Sequence, residues 1–172
     1  FLLALQIKEN GLTIAIAVVL AALMIASSEL LSLILNSLHA LDKMKEKPLA
    51  LVKAAFELKA MCLSGYEPLL DGCAVCGRTP PEEPRFHLRE GVVHCAACRG
   101  EMGEGISMPL NLHALRAMEH IAYGDPKRLF SFSIGGEGLT KLADLTEAYL
   151  HTQLERGFQT LDFYKGIQTG GI

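Results

Sequence analysis

The stretch CAVCGRTPPEEPRFHLREGVVHCAAC, which extends from Cys73 to Cys98, decides how this chain is organised. It contains two C-x2-C pairs, Cys73 with Cys76 and Cys95 with Cys98, and 18 residues separate the pairs. This spacing matches the pattern in which four thiolates surround one zinc ion at about 2.3 Å. Four protein ligands leave no coordination position for water or substrate. We therefore expect one structural Zn²⁺ and no catalytic metal.

Other states of these cysteines stay open on the sequence alone. They could form two disulfides, hold an iron–sulfur cluster or be unrelated free thiols, and His87 or His94 could replace a cysteine as ligand. The sequence shows no legible cleavable signal peptide and no Asn-x-Ser/Thr sequon, which favours a reducing cytoplasm. In that compartment paired cysteines bind metal more often than they form disulfides. The fifth cysteine, Cys62, lies among apolar residues and is expected to be a small buried hydrophobe.

The residues between the two pairs predict a short β-hairpin. Phe86 to His94 is the one strand-like run in this part of the chain, and Gly91 lies in or near its turn. Four of the seven prolines lie within residues 66–105. A proline-rich segment of this size cannot bury a core of its own and depends on a metal for stability. We therefore predict a zinc-ribbon module at residues 71–105.

The N-terminal flank of the ribbon predicts helices. One helix should begin at a serine N-cap near residue 28 and continue to Leu41, and a second should start at Pro48 and stop at Gly65. Within the second helix, Lys53 and Glu57 are four residues apart and are expected to face solvent. The helices are apolar on more than one face, so they need neighbours on several sides.

The C-terminal flank returns to helix. Pro109 and Asn111 are expected to begin one helix that ends at Gly124. A second apolar stripe, from Leu139 to Leu154, predicts a last helix that stops at Gly157. Three glycines predict a flexible loop between these helices: Gly135, Gly136 and Gly138.

The predicted fold class is mainly α, a helical bundle into which the zinc-ribbon hairpin is inserted. The helical domain has a first part at residues 29–70 and a second part at residues 106–172, on either side of the ribbon. Residues 1–28 form an apolar N-terminal segment of uncertain assignment.

Within that segment, Leu12 to Ala26 holds a single polar residue, Thr13. A membrane span needs about 20 apolar residues, so we expect a core helix over residues 13–26 and keep a membrane anchor as the alternative.

Charge and motifs exclude several functions. The chain has 16 Lys and Arg against 19 Asp and Glu, and the net charge of −3 does not fit a protein dominated by nucleic-acid binding. Phosphate-binding loops, dinucleotide fingerprints, HExxH, GxSxG and zinc-deaminase patterns are all missing from the sequence. His113 and His120 lie seven residues apart without a carboxylate pattern and are expected to be partly exposed helix residues. We therefore predict no enzyme and no catalytic residues.

A few basic side chains could contact phosphate, with ordinary solvated charge as the alternative. They are Arg85 and Arg89 on the hairpin, and Lys127 and Arg128 in a loop.

The residues that lead into the ribbon resemble the RecO family of bacterial recombination mediators. They comprise a helix with Phe56-Glu-Leu58, then Gly65-Tyr-Glu-Pro68, then the first cysteine pair followed by Gly77. The tail from Tyr149-Leu150 to Phe163 is also similar to the end of that family's chains. The resemblance covers about residues 29–165.

The resemblance implies a cytoplasmic, nucleoid-associated DNA-repair protein without enzymatic turnover. Members bind single- and double-stranded DNA, anneal complementary strands, act with RecR and help RecA replace single-strand-binding protein (SSB). An N-terminal OB-fold, which is not evident in this chain, carries much of the DNA contact in that family. The helical domain offers an apolar surface to the SSB C-terminal tail.

The family resemblance assigns one structural Zn²⁺ to Cys73, Cys76, Cys95 and Cys98 and leaves the DNA-contacting residues unknown. The alternatives are a zinc-ribbon protein-docking adaptor without nucleic-acid activity and a membrane-anchored zinc protein. The interpretation as a recombination mediator involves no membrane.

Overall fold

The computed structural model describes residues 28–42, 48–155 and 166 of the 172-residue chain. The described helices are α1 at residues 28–42, α2 at Leu49–Leu63, α3 at Leu112–Tyr123 and α4 at Gly136–Leu154. The strands are β1 at Pro84–His87, β2 at Val92–Cys95 and β3 at Ser107–Pro109, and short 3-10 helices cover Ala96–Glu101 and Pro126–Arg128. The predicted fold class, mainly α with a small β module, is confirmed. The helix predicted over residues 13–26 and the stop predicted at Gly157 lie outside the described residues.

The core lies where α2, α3 and α4 meet. The large side chains that are fully buried there come from all three helices: Leu58, Leu115, Met118, Ile121, Leu142 and Leu145. Local signals set the helix ends, since the Asn111 side chain accepts a hydrogen bond of 2.8 Å from the backbone N–H of Ala114 and so caps α3. Gly65, with φ of +89°, ends α2 in the left-handed conformation that glycine tolerates.

The antiparallel sheet has the strand order β2-β1-β3, and one of its faces packs on this core. Phe86 in β1 pairs in register with Val93 in β2 and Met108 in β3, so the three side chains share that face. The ring of Phe86 meets Tyr149 of α4 edge-on, with ring centroids 5.1 Å apart. This contact joins the ribbon to the helical body.

Of the two residues predicted to begin α3, Asn111 is its N-cap, as expected, and Pro109 is not part of the helix. Pro109 lies in β3, opposite Arg85, and the helix begins only at Leu112. Proline is tolerated there because β3 is an edge strand and needs no donor on its outer side. Leu110 donates its backbone N–H to Pro84 O at 2.8 Å, which extends the sheet contact to the helix entry.

The flexible loop predicted around the three glycines is also wrong, because α4 begins at Gly136 and includes Gly138. A Cβ at Gly138 would lie 3.0 Å from the side chain of Ile134 and 3.4 Å from His113. Close packing against the preceding loop and α3 therefore explains why a glycine is accepted inside this helix.

Lys53 and Glu57 do not face solvent as predicted, because α4 covers this side of α2. Lys53 Nζ lies 2.7 Å from a Glu57 carboxylate oxygen and 3.0 Å from a Glu147 carboxylate oxygen. Glu57 is only 8% exposed and accepts a hydrogen bond of 3.1 Å from the hydroxyl of Thr146. Burial raises the pKa of Glu57, whereas its contacts with Lys53 act in the opposite direction. Burial opposes the charged form of Lys53, but the carboxylates of Glu57 and Glu147 outweigh it and raise the pKa of Lys53.

Within the described ranges, no helix has both the length and the apolar character needed to cross a bilayer.

Candidate metal centre

The first cysteine pair lies in a turn that the backbone closes on itself. Gly77 donates its N–H to Cys73 O at 2.8 Å and adopts φ of +71°. A residue with a side chain is strained at such a φ, so glycine directly after the second cysteine suits this turn. A further bond within the turn runs from Cys73 N–H to Arg78 O at 3.0 Å, and Ala74 N–H holds the turn beside the hairpin by donating to Val93 O at 2.9 Å.

The second pair starts at the end of β2. Cys95 is the last residue of that strand, and Cys98 lies within the 3-10 helix Ala96–Glu101. The strand register pairs Cys95 with Pro84 on β1. The hairpin therefore fixes the position of the second cysteine pair relative to the first. The turn of the hairpin contains Gly91, with φ of +65°, as the sequence predicted.

The fold brings the four sulfur atoms together. The Sγ atoms of Cys73, Cys76, Cys95 and Cys98 all lie within 4.8 Å of one another. The distance between the Sγ atoms of Cys76 and Cys95 is 3.9 Å. In a tetrahedron with metal–sulfur bonds of about 2.3 Å, neighbouring sulfurs are about 3.8 Å apart. All five cysteines of the chain lie in described residues as free thiols. The donor set therefore fits one tetrahedral metal ion better than it fits two disulfides.

Backbone N–H groups point at these sulfurs. Cys73 Sγ accepts hydrogen bonds from the N–H groups of Cys95 at 3.3 Å and Cys76 at 3.5 Å, and Cys95 Sγ accepts one from Glu82 at 3.3 Å. Although burial opposes the thiolate, these and neighbouring N–H groups lower the pKa of Cys73 to about 6. The site is therefore prepared to hold a negatively charged sulfur near neutral pH.

The sulfurs of Cys95 and Cys98 resist ionisation without a cation. Burial, and then the adjacent sulfur atoms, raise the pKa of Cys98 to about 12, and burial likewise raises the pKa of Cys95. Thiolates placed this close repel one another, and a divalent cation at their centre removes that repulsion. Soft thiolate ligands in a tetrahedral arrangement select zinc or iron–sulfur centres over magnesium or calcium.

The two hairpin histidines lie outside the sulfur cluster. Both are fully buried, in β1 and β2. His94 Nδ1 lies 2.8 Å from Cys95 O and its Nε2 lies 2.9 Å from the hydroxyl of Ser107, so both ring nitrogens are occupied. His87 Nδ1 accepts the N–H of Glu90 at 3.2 Å. The structure thus places them as hairpin side chains, as the sequence favoured.

The other residues singled out from the sequence do not form a second site. Cys62 lies half-buried on α2, and burial raises the pKa of its thiol to about 11. His113 is exposed, and the ring of the partly buried His120 lies tilted against that of Phe132, with centroids 5.1 Å apart. The basic residues considered as phosphate contacts are dispersed: Arg85 on β1, Arg89 at the hairpin turn, and Lys127 and Arg128 in the second 3-10 helix.

Sequence reasoning missed a cavity of about 600 Å³ between α1, α2 and the segment 126–129. Its apolar lining includes Leu33, Leu63 and Leu129; Lys59 and Lys127 supply positive charge, and Glu29 supplies one negative charge. Lys59 is only 8% exposed and donates from Nζ to Ala122 O at 2.9 Å. A helical lysine gives no signal of burial in a sequence, because only the packing of three separate segments creates this cavity.

These features define a class of protein: a helical domain that carries a four-cysteine ribbon docked on its core. The sequence of the chain matches the family described as recombination protein O C terminal over residues 12–162, and the chain belongs to that family.

Relatives with curated names agree with this assignment. The chain is 31% identical over 141 residues to the DNA repair protein RecO of Acetivibrio thermocellus. The matched stretch covers 82% of this chain and 55% of that protein. It is 32% identical over 140 residues to the protein of the same name from Symbiobacterium thermophilum, covering 80% of this chain and 54% of that protein. The RecO of Rubrobacter xylanophilus is 42% identical over 71 residues, 41% of this chain and 28% of that protein.

The chain thus spans about half the length of the curated relatives it matches. No solved structure matches it significantly.

Proposed function

We propose that this chain acts in DNA repair as part of a recombination mediator. In that role it binds and anneals DNA and acts with RecR to help load RecA onto SSB-coated single-stranded DNA. The observation that carries this proposal is the family match over residues 12–162 together with the four-cysteine ribbon. The curated relatives bear the name DNA repair protein RecO, which supports the same role. The role is one of assembly, without catalytic residues, in the cytoplasm near the nucleoid.

We infer that Cys73, Cys76, Cys95 and Cys98 hold one structural Zn²⁺. The sulfur separations and the N–H groups directed at Cys73 and Cys95 support this assignment, and four thiolates fill a tetrahedral site. Zinc in this position cross-links the two cysteine turns and so fixes the hairpin. The contact between Phe86 and Tyr149 then attaches the fixed hairpin to the helices.

We further propose that the 600 Å³ cavity beside α1 receives the SSB C-terminal tail. A chain terminus carries a carboxylate, and the two lysines of the lining, Lys59 and Lys127, supply the opposite charge against the single acidic residue of the lining, Glu29. The leucines of the cavity offer apolar contact to the preceding residues of such a peptide. This assignment gives the apolar surface expected for the family a specific location.

Strand annealing separates the mediator from the adaptor. Two complementary oligonucleotides, one coated with SSB, are mixed with the chain and RecR, and annealing is followed by fluorescence. The mediator accelerates annealing and is retained by RecR. A docking adaptor binds SSB or RecR without accelerating annealing, and that result would overturn the proposal.

A charge reversal in the cavity lining tests the peptide site. Lys127→Glu should weaken binding of a fluorescent SSB-tail peptide about five- to tenfold because it places a like charge beside the carboxylate. Lys141→Glu on α4 makes the same change in net charge away from the residues that line the cavity and should leave the affinity unchanged. Equal affinities for the two variants would remove the cavity from consideration.

A further inference from the structure

The four sulfurs of the metal centre differ in their access to solvent. Cys73 and Cys95 are each only 3% exposed, and Cys98 is partly exposed. Cys76 is exposed, and so are all of the residues that follow it at 77–80. A small reagent in water is therefore expected to reach Cys76 before it reaches the other three sulfurs.

Hydrogen bonding separates Cys76 from its buried neighbours in the same way. Backbone N–H groups donate to Cys73 Sγ at 3.3 and 3.5 Å and to Cys95 Sγ at 3.3 Å. Such bonds stabilise a thiolate and so make it a weaker nucleophile. Among the described residues no N–H group donates to Cys76 Sγ, whose recorded contact is another sulfur. The accessible sulfur is therefore also one whose nucleophilic character is not reduced by the backbone.

A second thiol lies beside Cys76. Its Sγ is 3.9 Å from Cys95 Sγ, although 18 residues separate the two cysteines in the chain. Cys95 ends strand β2, whereas Cys76 belongs to the turn that Gly77 closes. An accessible thiolate next to a second cysteine is the arrangement in which oxidation to a disulfide is favoured, because the second thiol traps the first oxidation product.

We propose that Cys76 is a modification site for two-electron oxidants such as hydrogen peroxide, and that its oxidation opens the ribbon. The Cys76 thiolate attacks one peroxide oxygen, the O–O bond breaks, and a sulfenic acid forms while the released hydroxide takes a proton to become water. The Cys95 thiolate then attacks the Cys76 sulfur and displaces the sulfenic hydroxyl, which takes a second proton and leaves as water. The two thiolates together lose two electrons, and the peroxide gains them.

The disulfide removes two of the four thiolates from the metal centre. Release of the ion presupposes the zinc site proposed above: two thiolates remain, which are too few to enclose Zn²⁺. The turn at residues 73–77 then loses its cross-link to the second pair. Because the core of α2, α3 and α4 contains none of the four cysteines, the helical body should remain folded. A dithiol such as dithiothreitol reduces the disulfide again, so the opening is reversible.

Peroxide treatment of the zinc-loaded whole chain tests the proposal, with zinc release followed by a chromogenic chelator. Cys76→His removes the exposed thiol but keeps four potential ligands, because histidine also binds zinc. This variant should release zinc at least about tenfold more slowly than wild type. Cys98→His is the matched control, since it also replaces one thiol by histidine but leaves Cys76 and Cys95 in place. It should release zinc at about the wild-type rate.

Alkylation of the wild type gives a second measurement that needs no variant. With limiting iodoacetamide, mass spectrometry should find Cys76 modified first among the four ligands, and after peroxide it should find the disulfide between Cys76 and Cys95. Dithiothreitol with added zinc should then restore the metal content.

Two results would overturn the role of Cys76 while leaving the zinc site intact. They are equal rates of zinc release from wild type and Cys76→His, and alkylation that begins at another of the four cysteines. A peroxide-treated chain in which Cys76 pairs with Cys73 would contradict the assignment of Cys95 as the second thiol. A chain that contains no zinc before treatment would refute the zinc site itself and the proposed opening with it, so the two failures are distinguishable.

Discussion

Gly91→Ala should destabilise the attachment of the ribbon to α4 through two separate effects. Gly91 has φ of +65°, a conformation that costs an L-residue about 1–2 kcal/mol. A Cβ at this position would also lie 2.7 Å from the hydroxyl oxygen of Tyr149, which is too close for contact. Overpacking of this kind costs about 1–3 kcal/mol, so the free energy of unfolding should fall by about 2–5 kcal/mol in total.

Tyr149→Phe separates these two effects. It removes the oxygen with which the new Cβ collides, and it sacrifices the hydrogen bond of 3.0 Å that Tyr149 donates to Tyr66 O. Alone it should cost about 1 kcal/mol. In the double variant the collision is absent, so the total loss should be about 2–3 kcal/mol, less than the sum of the single losses.

Urea unfolding followed by circular dichroism measures these free energies. Gly136→Ala is the matched control, because Gly136 has φ of +54° and nothing within 4 Å of a built Cβ, and it lies at the start of α4, away from the contact between Tyr149 and Tyr66. It should show the backbone cost alone, about 1–2 kcal/mol, with no coupling to Tyr149→Phe. If the Gly91 and Tyr149 losses add within about 0.5 kcal/mol, the proposed contact between turn and helix is refuted.

Three further perturbations test other parts of the fold. Asn111→Ala should lower stability by about 1 kcal/mol because α3 loses its N-cap acceptor, and thermal unfolding should show Asn111→Asp close to wild type. Gly105→Ala should speed metal release to a chelator: φ is +146° and a Cβ would meet the ring of His87 at 2.8 Å, so the segment over the sheet would shift. A release rate equal to that of wild type would contradict this. Lys53→Met removes the cation that lowers the pKa of Glu57 against burial, so the carboxyl pKa should rise further in the folded state. A carboxyl whose pKa is higher in the folded than in the unfolded state destabilises the fold at high pH, where it is ionised. This destabilisation disappears as the pH falls and the carboxyl gains a proton. The loss relative to wild type should therefore shrink as the pH falls from neutral toward the ordinary carboxyl pKa of 4.5, and a pH-independent loss would argue against a buried carboxylate.

The sequence was sufficient wherever short-range chemistry sets the structure. The spacing of Cys73, Cys76, Cys95 and Cys98, with a turn at Gly91 between the pairs, predicted both the hairpin and the sulfur cluster. Such features depend on residues close together in the chain, whose φ preferences and side-chain chemistry act locally.

Long-range packing accounts for the errors. Glu57 was expected in solvent because α2 alone gives no sign that Thr146 and Glu147 of α4 cover it. Strand β3 was missed because its three residues carry no strand pattern and pair with β1, some twenty residues earlier. The cavity around Lys59 depends on three segments that are distant in sequence. Periodicity within one element cannot report the neighbour that another element provides.

Metal content tests the central claim most directly. The chain is purified under reducing conditions without added metal, and zinc is measured by inductively coupled plasma mass spectrometry beside Cys73→Ser. About one zinc ion per chain is predicted for the wild type, displaced by a thiol-specific mercurial in proportion to four thiols, and a large loss is predicted for the variant. A folded wild-type chain that contains no metal, or a Cys73→Ser variant that keeps its zinc, would contradict the four-thiolate centre.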